Sequence, residues 1–189
     1  MTVAAVLLAA GEGKRFEGPI HKLMSPFRGR PLVSWAIESA LGAGLDETIV
    51  VTGSVELTEH IPPGVTVIEN KSWASGQASS LRVALDWCGR QGHRSAVVGL
   101  GDQPLVGTSA WIAVAEAPTG PMVTATFAGK RRPPVRLDRS VWSLLPTGGD
   151  QGARVLMVRR PELVFEVACE GNPVDIDTIE DMEDARTWS

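Results

Sequence analysis

Val3-Ala4-Ala5-Val6-Leu7-Leu8-Ala9-Ala10-Gly11-Glu12-Gly13-Lys14-Arg15 decides how the rest of the chain is read. From Val3 to Ala10 the stretch is apolar with no polar alternation, the pattern of a strand covered on both faces, and it stops at a glycine-rich basic turn. Strands of that kind belong to parallel sheets flanked by helices. The turn therefore sits at a strand's carboxyl end, where open α/β sheets bind their ligands.

Working outward, Leu32, Val33, Ala36, Ile37, Ala40 and Leu41 recur at helical spacing behind Pro31, Gly42 and Gly44 end that helix, and a strand follows over 48–52. A second unit runs from a strand at 65–68 through a helix marked by Ala78, Leu81, Ala84, Leu85 and Cys88 to a strand at 96–98, which enters Gly101-Asp102-Gln103-Pro104. Beyond it the pattern predicts a helix over 109–117, a strand over 122–127 and a loop at the Pro/Arg-rich stretch 130–134. Helices over 138–145 and 152–159, a strand over 163–167 and a last helix after Thr178 complete the expectation. Strands alternating with helices predict a three-layer α/β/α, Rossmann-like fold with a mostly parallel central sheet, in a single domain spanning residues 1–189.

Composition narrows the function. A formal net charge of −4 gives no general attraction to nucleic acid or to an anionic membrane, so small anionic ligands are the expected partners. Two cysteines, Cys88 and Cys169, are too few for a disulfide framework, and His21, His60 and His93 lack zinc-finger spacing, which suits a reduced, cytoplasmic setting. No Lys or Arg precedes the short apolar run at 3–10, so it is expected to be a first strand rather than a leader. Nothing approaches the roughly 18 consecutive apolar residues of a membrane helix.

Glycines let backbone N–H groups approach an anion, and Lys14, Arg15 and Lys22 supply counter-charge, so the turn suits a triphosphate. A tight strand-to-helix turn with solvated basic residues also fits. Two familiar phosphate motifs fail: Arg15 stands where a Walker A loop needs Ser or Thr, and Phe16 where a dinucleotide fingerprint needs its third glycine, which argues against a nicotinamide-dependent oxidoreductase. Asp102, at a strand end, and Asp177, just before a helix that Thr178 could cap with Asp181 three residues on, are the kind of carboxylates that hold a divalent ion together with substrate oxygens. The same spacing also fits a turn residue at Asp102 and a favourable negative charge at a helix start for Asp177.

Leu7-Leu8-Ala9-Ala10-Gly11-Glu12-Gly13-Lys14-Arg15-Phe16, followed by Lys22 and Gly29-Arg30-Pro31-Leu32, resembles the opening of the MobA-like nucleotidyltransferase superfamily, and within it the molybdenum cofactor cytidylyltransferases. Phe16 replaces that opening's usual Met, and the stretch from Arg15 to Lys22 is longer than the family's. The resemblance implies the nucleotide-diphospho-sugar transferase form of the fold. It further implies that Ala9, Ala10, Gly11, Gly13 and Lys14 line the nucleotide, with Arg15 and Lys22 on its phosphates. Gly101-Asp102-Gln103-Pro104-Leu105 and Asp175-Ile176-Asp177-Thr178 resemble the segments that give the family its metal ligands, which implies Mg²⁺ or Mn²⁺ on Asp102 and Asp177; Ile179 stands where the second motif has Pro. By the same resemblance Arg15, Lys22 and Asp102 are the catalytic residues.

Asn70-Lys71-Ser72-Trp73-Ala74-Ser75-Gly76-Gln77-Ala78-Ser79-Ser80-Leu81 is similar to the family segment over the nucleotide, which implies contacts from Gly76, Ser79 and Ser80. By themselves the serines also fit ordinary helix capping and Trp73 ordinary packing. Ala9-Ala10-Gly11 resembles the cytidylyl rather than the guanylyl branch, so CTP is the implied donor, with a guanylyl or other NTP transferase acting on another cofactor or a sugar phosphate as the alternative. Pro134-Val135-Arg136-Leu137 and Gly149-Asp150-Gln151-Gly152-Ala153-Arg154 resemble the acceptor half, with Pro133 in place of a frequent His. This implies Gln103, Pro104 and Arg154 as acceptor-binding residues, a phosphorylated acceptor such as molybdopterin, and a delivery contact with a molybdoenzyme.

Overall fold

The apolar run becomes strand β1 (Val3–Leu8) in a computed structural model that describes residues 2–118 and 120–188. A two-residue hairpin, β2 (Pro26–Phe27) and β3 (Arg30–Pro31), leads into helix α1 (Leu32–Gly42), then β4 (Glu47–Thr52) and β5 (Thr66–Glu69). Helix α2 (Gln77–Arg90), β6 (Ser95–Leu100), α3 (Thr108–Glu116), β7 (Met122–Phe127) and β8 (Lys130–Asp138) follow. The chain ends through α4 (Arg154–Arg159), β9 (Val164–Ala168) and α5 (Ile179–Thr187). One sheet of seven strands runs in the order β5-β4-β1-β6-β8-β7-β9, with β8 antiparallel to both neighbours and the other pairs parallel. This is the mostly parallel α/β sheet that the periodicity predicts.

The absence of alternation in β1 has a direct cause. Ala5, Leu7 and Ala9 enter one apolar core with α1, α3 and α5, while Ala4, Val6, Leu8 and Ala10 enter another with α2 and α4. Each fully buried Val or Leu contributes roughly 1.5–3 kcal/mol of transfer free energy, so both faces select apolar side chains.

From β1 the chain moves through β4 to β5, then crosses back over two strands to lay β6 on the other side of β1. That reversal opens a crevice outside the carboxyl ends of β1 and β6. The two ends are tied there by the Gly101 N–H donating to the Leu8 carbonyl at 2.9 Å.

Two expectations fail. Residues 130–134 belong to β8 rather than a loop: Thr124 pairs with Val135 but Ala125 with Arg132, so Pro133 and Pro134 occupy a bulge where no ladder N–H is required. The stretch expected as a helix over 138–145 is instead the end of β8 followed by a 3-10 turn, Arg139–Leu144. Arg139 N–H bonds back to the Arg94 carbonyl, and the Trp142 indole N–H donates to the Leu137 carbonyl at 2.9 Å, which holds the turn tight. Arg136 is buried as well, and its guanidinium donates to the carbonyls of Ala115 and Ala117 at 2.9 and 2.7 Å, satisfying the carboxyl end of α3, which has no basic residue in its last turn.

Candidate active site

Asp102 enters the crevice because Gly101 lets the end of β6 close on β1; a Cβ at Gly101 would lie 3.1 Å from that of Ala9. The Ile176 N–H donates to the Asp102 carbonyl at 2.9 Å, and the Ile176 side chain is fully buried, so the segment carrying Asp175 and Asp177 is pinned across the end of β6. At the start of α5, Thr178 accepts from the Asp181 N–H at 3.1 Å while the Asp181 carboxylate accepts from the N–H groups of Thr178 and Asp177, at 2.8 and 3.0 Å. This reciprocal cap fixes where Asp177 points.

Both carboxylates converge on one cation. Lys22, 7% exposed, donates from Nζ to Asp102 Oδ2 at 2.8 Å and to Asp177 Oδ1 at 3.0 Å, while the exposed Arg15 reaches Asp177 Oδ2 at 2.9 Å. Burial by itself would lower the Lys22 pKa, but Asp102 and Asp177 outweigh it and hold the ammonium above its ordinary value. Asp175 has no salt-bridge partner among the described residues: burial first, then the charges of Asp102 and Asp177, push its pKa up. Gln103, 2% exposed, donates to Asp175 Oδ1 at 2.9 Å and to the Pro173 carbonyl at 3.1 Å.

Among the described residues no cluster of three or more His, Cys, Asp or Glu is arranged to hold a metal. The Asp102/Asp177 pair nevertheless suits a hard divalent ion that takes its remaining ligands from substrate oxygens and water. Among the described residues Asp102 Oδ1 is buried without a hydrogen-bond partner, and a cation would satisfy it.

A cavity of about 400 Å³ lies over the glycine turn, lined on one side by Ala10, Gly11, Glu12, Gly13 and Lys14 and on the other by Trp73, Ala74, Gly76, Gln77 and Ser80, with Asp150 at its edge. Gly76 is required at φ +102°, since a Cβ there would fall 2.6 Å from Gly149 backbone atoms and from Asp150 Oδ1. Ser80 lines this cavity, but Ser79 turns to the Ser72 and Gly76 carbonyls. Asn70 accounts for the motif's rigidity by donating to both serine hydroxyls, at 2.8 and 2.9 Å. Ala9 also faces away, packed in the core with its N–H on the Val51 carbonyl.

A second cavity, about 540 Å³, adjoins the first and shares Leu8, Gln77 and Asp150 with it. Its floor is aliphatic, from Leu81, Val98, Leu100, Val135 and Met157, and its rim carries Arg131, Arg132, Arg154 and Asp175. Arg131 pairs with Glu166 at 2.7 Å. Arg154 stands where an acceptor-binding residue is expected, but Gln103 and Pro104 are buried and, like Arg15, Lys22, Asp102 and Asp177, line neither cavity. Gln77, Arg132 and Asp150 were not singled out from the sequence; only the glycines around Asp150 hinted at a loop that approaches other backbone. Nor does any motif mark His21, although it immediately precedes Lys22.

The MobA-like NTP transferase domain family matches residues 5–163. The nicotine blue oxidoreductase of Paenarthrobacter nicotinovorans is 33% identical over 95% of this chain and 94% of its own. The structure superposes on the Rv0371c protein of Mycobacterium tuberculosis H37Rv with a TM-score of 0.84 and 26% identity, covering 99% and 98% of the two chains. That protein in complex with manganese superposes with a TM-score of 0.81 at 24% identity over 97% of each chain. In fold alone, the inositol-1-phosphate CTP transferase of T. maritima is also similar, with a TM-score of 0.74 and 18% identity over 94% of this chain and 90% of that one.

Proposed function

Because the chain belongs to the MobA-like NTP transferase family, we propose that it is a cytoplasmic, metal-dependent enzyme moving CMP from CTP to a phosphorylated acceptor, with molybdopterin the favoured one. The observation that carries this reading is the meeting of Asp102 and Asp177 at Lys22 Nζ, at the crevice where the glycine turn ends β1. In the reaction, a terminal phosphate oxygen of the acceptor attacks the α-phosphorus of CTP in line, the bond to the β-phosphate breaks, and pyrophosphate leaves. A phosphate monoester is largely ionised near pH 7, so the enzyme's task is alignment and charge neutralisation rather than proton removal. Lys22, Arg15 and the turn's N–H groups supply positive potential along the polyphosphate. Asp102 and Asp177 would hold Mg²⁺ or Mn²⁺, which when bound adds neutralising charge at the phosphoryl oxygens.

Two features favour the particular substrates. Ala10 lines the first cavity with its methyl seated against Gly53, where an added Cβ would lie 2.8 Å from it, and this firm wall suits a pyrimidine better than a purine. The aliphatic floor and arginine rim of the second cavity suit a flat ring with an anionic tail. The test is pyrophosphate release from each of CTP, GTP, ATP and UTP with molybdopterin, inositol 1-phosphate or a sugar phosphate, with Mg²⁺ or Mn²⁺. CTP with molybdopterin should be turned over fastest, and only with a divalent ion. Preference for GTP would move the enzyme to the guanylyl branch, and no pyrophosphate from any pair would refute nucleotidyl transfer.

An oxidoreductase is the second reading, favoured by the relative of that name, which spans nearly the whole chain. It predicts a change in NADH fluorescence on binding, and competition between NADH and CTP for the cavity over the glycine turn.

A further inference from the structure

The glycine turn is held from behind by residues that line neither cavity. The Gly11 carbonyl accepts from Ser54 Oγ at 2.7 Å and from His21 Nε2 at 3.1 Å, and the preceding Ala10 carbonyl accepts from the Ser54 N–H at 3.1 Å. In a planar trans peptide the C=O and N–H point in opposite directions. Fixing the carbonyls of residues 10 and 11 toward Ser54 and His21 therefore turns the N–H groups of Gly11 and Glu12 away from them, onto the side where Gly11, Glu12 and Gly13 line the cavity. Among the described residues neither N–H donates to any protein group, and two successive free N–H groups form an anion-binding concavity.

The imidazole is suited to this role in one tautomer. His21 Nδ1 accepts from the Leu23 N–H at 3.2 Å, so Nε2 carries the proton it donates to Gly11. Burial lowers the imidazole pKa, which favours that neutral form near pH 7. Gly13 adopts φ +67° directly above, where a Cβ would lie 3.2 Å from Lys22 Cβ and 3.8 Å from His21 Nε2. One short turn thus carries Lys22 to the carboxylates and its neighbour His21 to the phosphate loop.

We infer that His21, assisted by Ser54, is a positioning residue that aims the Gly11 and Glu12 N–H groups at the nucleotide's polyphosphate. This rests on the nucleotidyltransferase reading of the cavity. The test compares two substitutions that divide the imidazole's work. His21→Gln places an amide N–H near the Nε2 position and keeps the bond to Gly11. His21→Asn keeps an acceptor for the Leu23 N–H but leaves the Gly11 carbonyl to Ser54 alone.

Calorimetry with CTP and with inorganic tripolyphosphate should find both ligands about tenfold weaker on His21→Asn and within about threefold of wild type on His21→Gln, the worth of one hydrogen bond. KM for CTP should follow the same split with kcat less affected, and the two variants should melt together. Equal affinities in the two variants, or losses that track melting temperature, would overturn the inference. Tripolyphosphate affinities that show this split, with no CTP binding to wild type or either variant, would uphold the loop's role and refute cytidylyl transfer. One that binds neither ligand would remove both.

Discussion

Two carboxylate clusters sit at opposite ends of the same sheet and are treated in opposite ways. At the amino ends of the strands, Glu47 accepts from Thr66 Oγ1 at 2.7 Å, His93 Nε2 at 2.7 Å and Trp87 Nε1 at 3.0 Å. Burial would raise its pKa, but these donors outweigh burial and hold it below the usual glutamate value; the cluster's loose end is His93 Nδ1. At the carboxyl ends, Asp102 and Asp177 share one buried lysine, their charges and burial push the nearby Asp175 up, and among the described residues an oxygen of Asp102 is left without a partner. Glu47 has the donors of a group built for stability. The aspartates have the shortage of positive charge expected of a site completed by a cation and a substrate.

Substitutions can break this contrast or sharpen it. The largest effect is expected from Asp102→Asn, which should lower pyrophosphate release by about 10²–10³-fold, the usual scale for removing one preorganised electrostatic contact. Its melting temperature should hold, because relief of crowding offsets the weakened contact to Lys22. Retained turnover with a marked fall in stability would instead make the two ends alike.

Glu47→Ala should do the reverse. It strands the buried His93 and the half-buried Thr66 and Trp87 donors and should cost about 2–3 kcal/mol, or about 5–10 °C in melting temperature, with kcat/KM unchanged. Because the folded-state pKa of Glu47 is depressed, its contribution is present above the ordinary glutamate range and is lost as pH falls through the folded value. The gap between wild type and variant in thermal melts should therefore narrow below about pH 4.

The smallest effect belongs to Asp175→Asn, which removes a disfavoured charge while keeping an oxygen for Gln103. A gain of about 2 °C at pH 7 is expected. Since the folded pKa of Asp175 is raised, wild type takes up its proton early on acidification, and the gain should shrink as pH falls. A loss of stability at pH 7 would mean that Asp175 is satisfied rather than crowded.

What could be read from the sequence follows how local each feature is. The apolar run of β1, the glycine turn, the α1 spacing and the Thr178/Asp181 cap depend on neighbours a few residues away, and all are found where periodicity and capping rules put them. The expected loop at 130–134 fails because proline breaks a regular ladder, whereas β8 places its two prolines in a bulge opposite β7. Residue type also misled at Ser79 and Gln103, whose polar groups bind their own surroundings rather than a cavity. His21 belongs to no spacing motif, and its partners at Gly11, Leu23 and Ser54 are visible only after folding.

By itself the sequence determined a buried parallel strand ending in a basic glycine turn, since both follow from side-chain hydrophobicity and backbone freedom over a dozen residues. Only the tertiary structure decided that Asp102 and Asp177 meet at Lys22, and that strands β6 and β8 lend walls to one cavity. The reason is the reversal of strand order beside β1: it brings distant carboxyl ends together, and no local rule encodes the distance between groups joined only by the sheet.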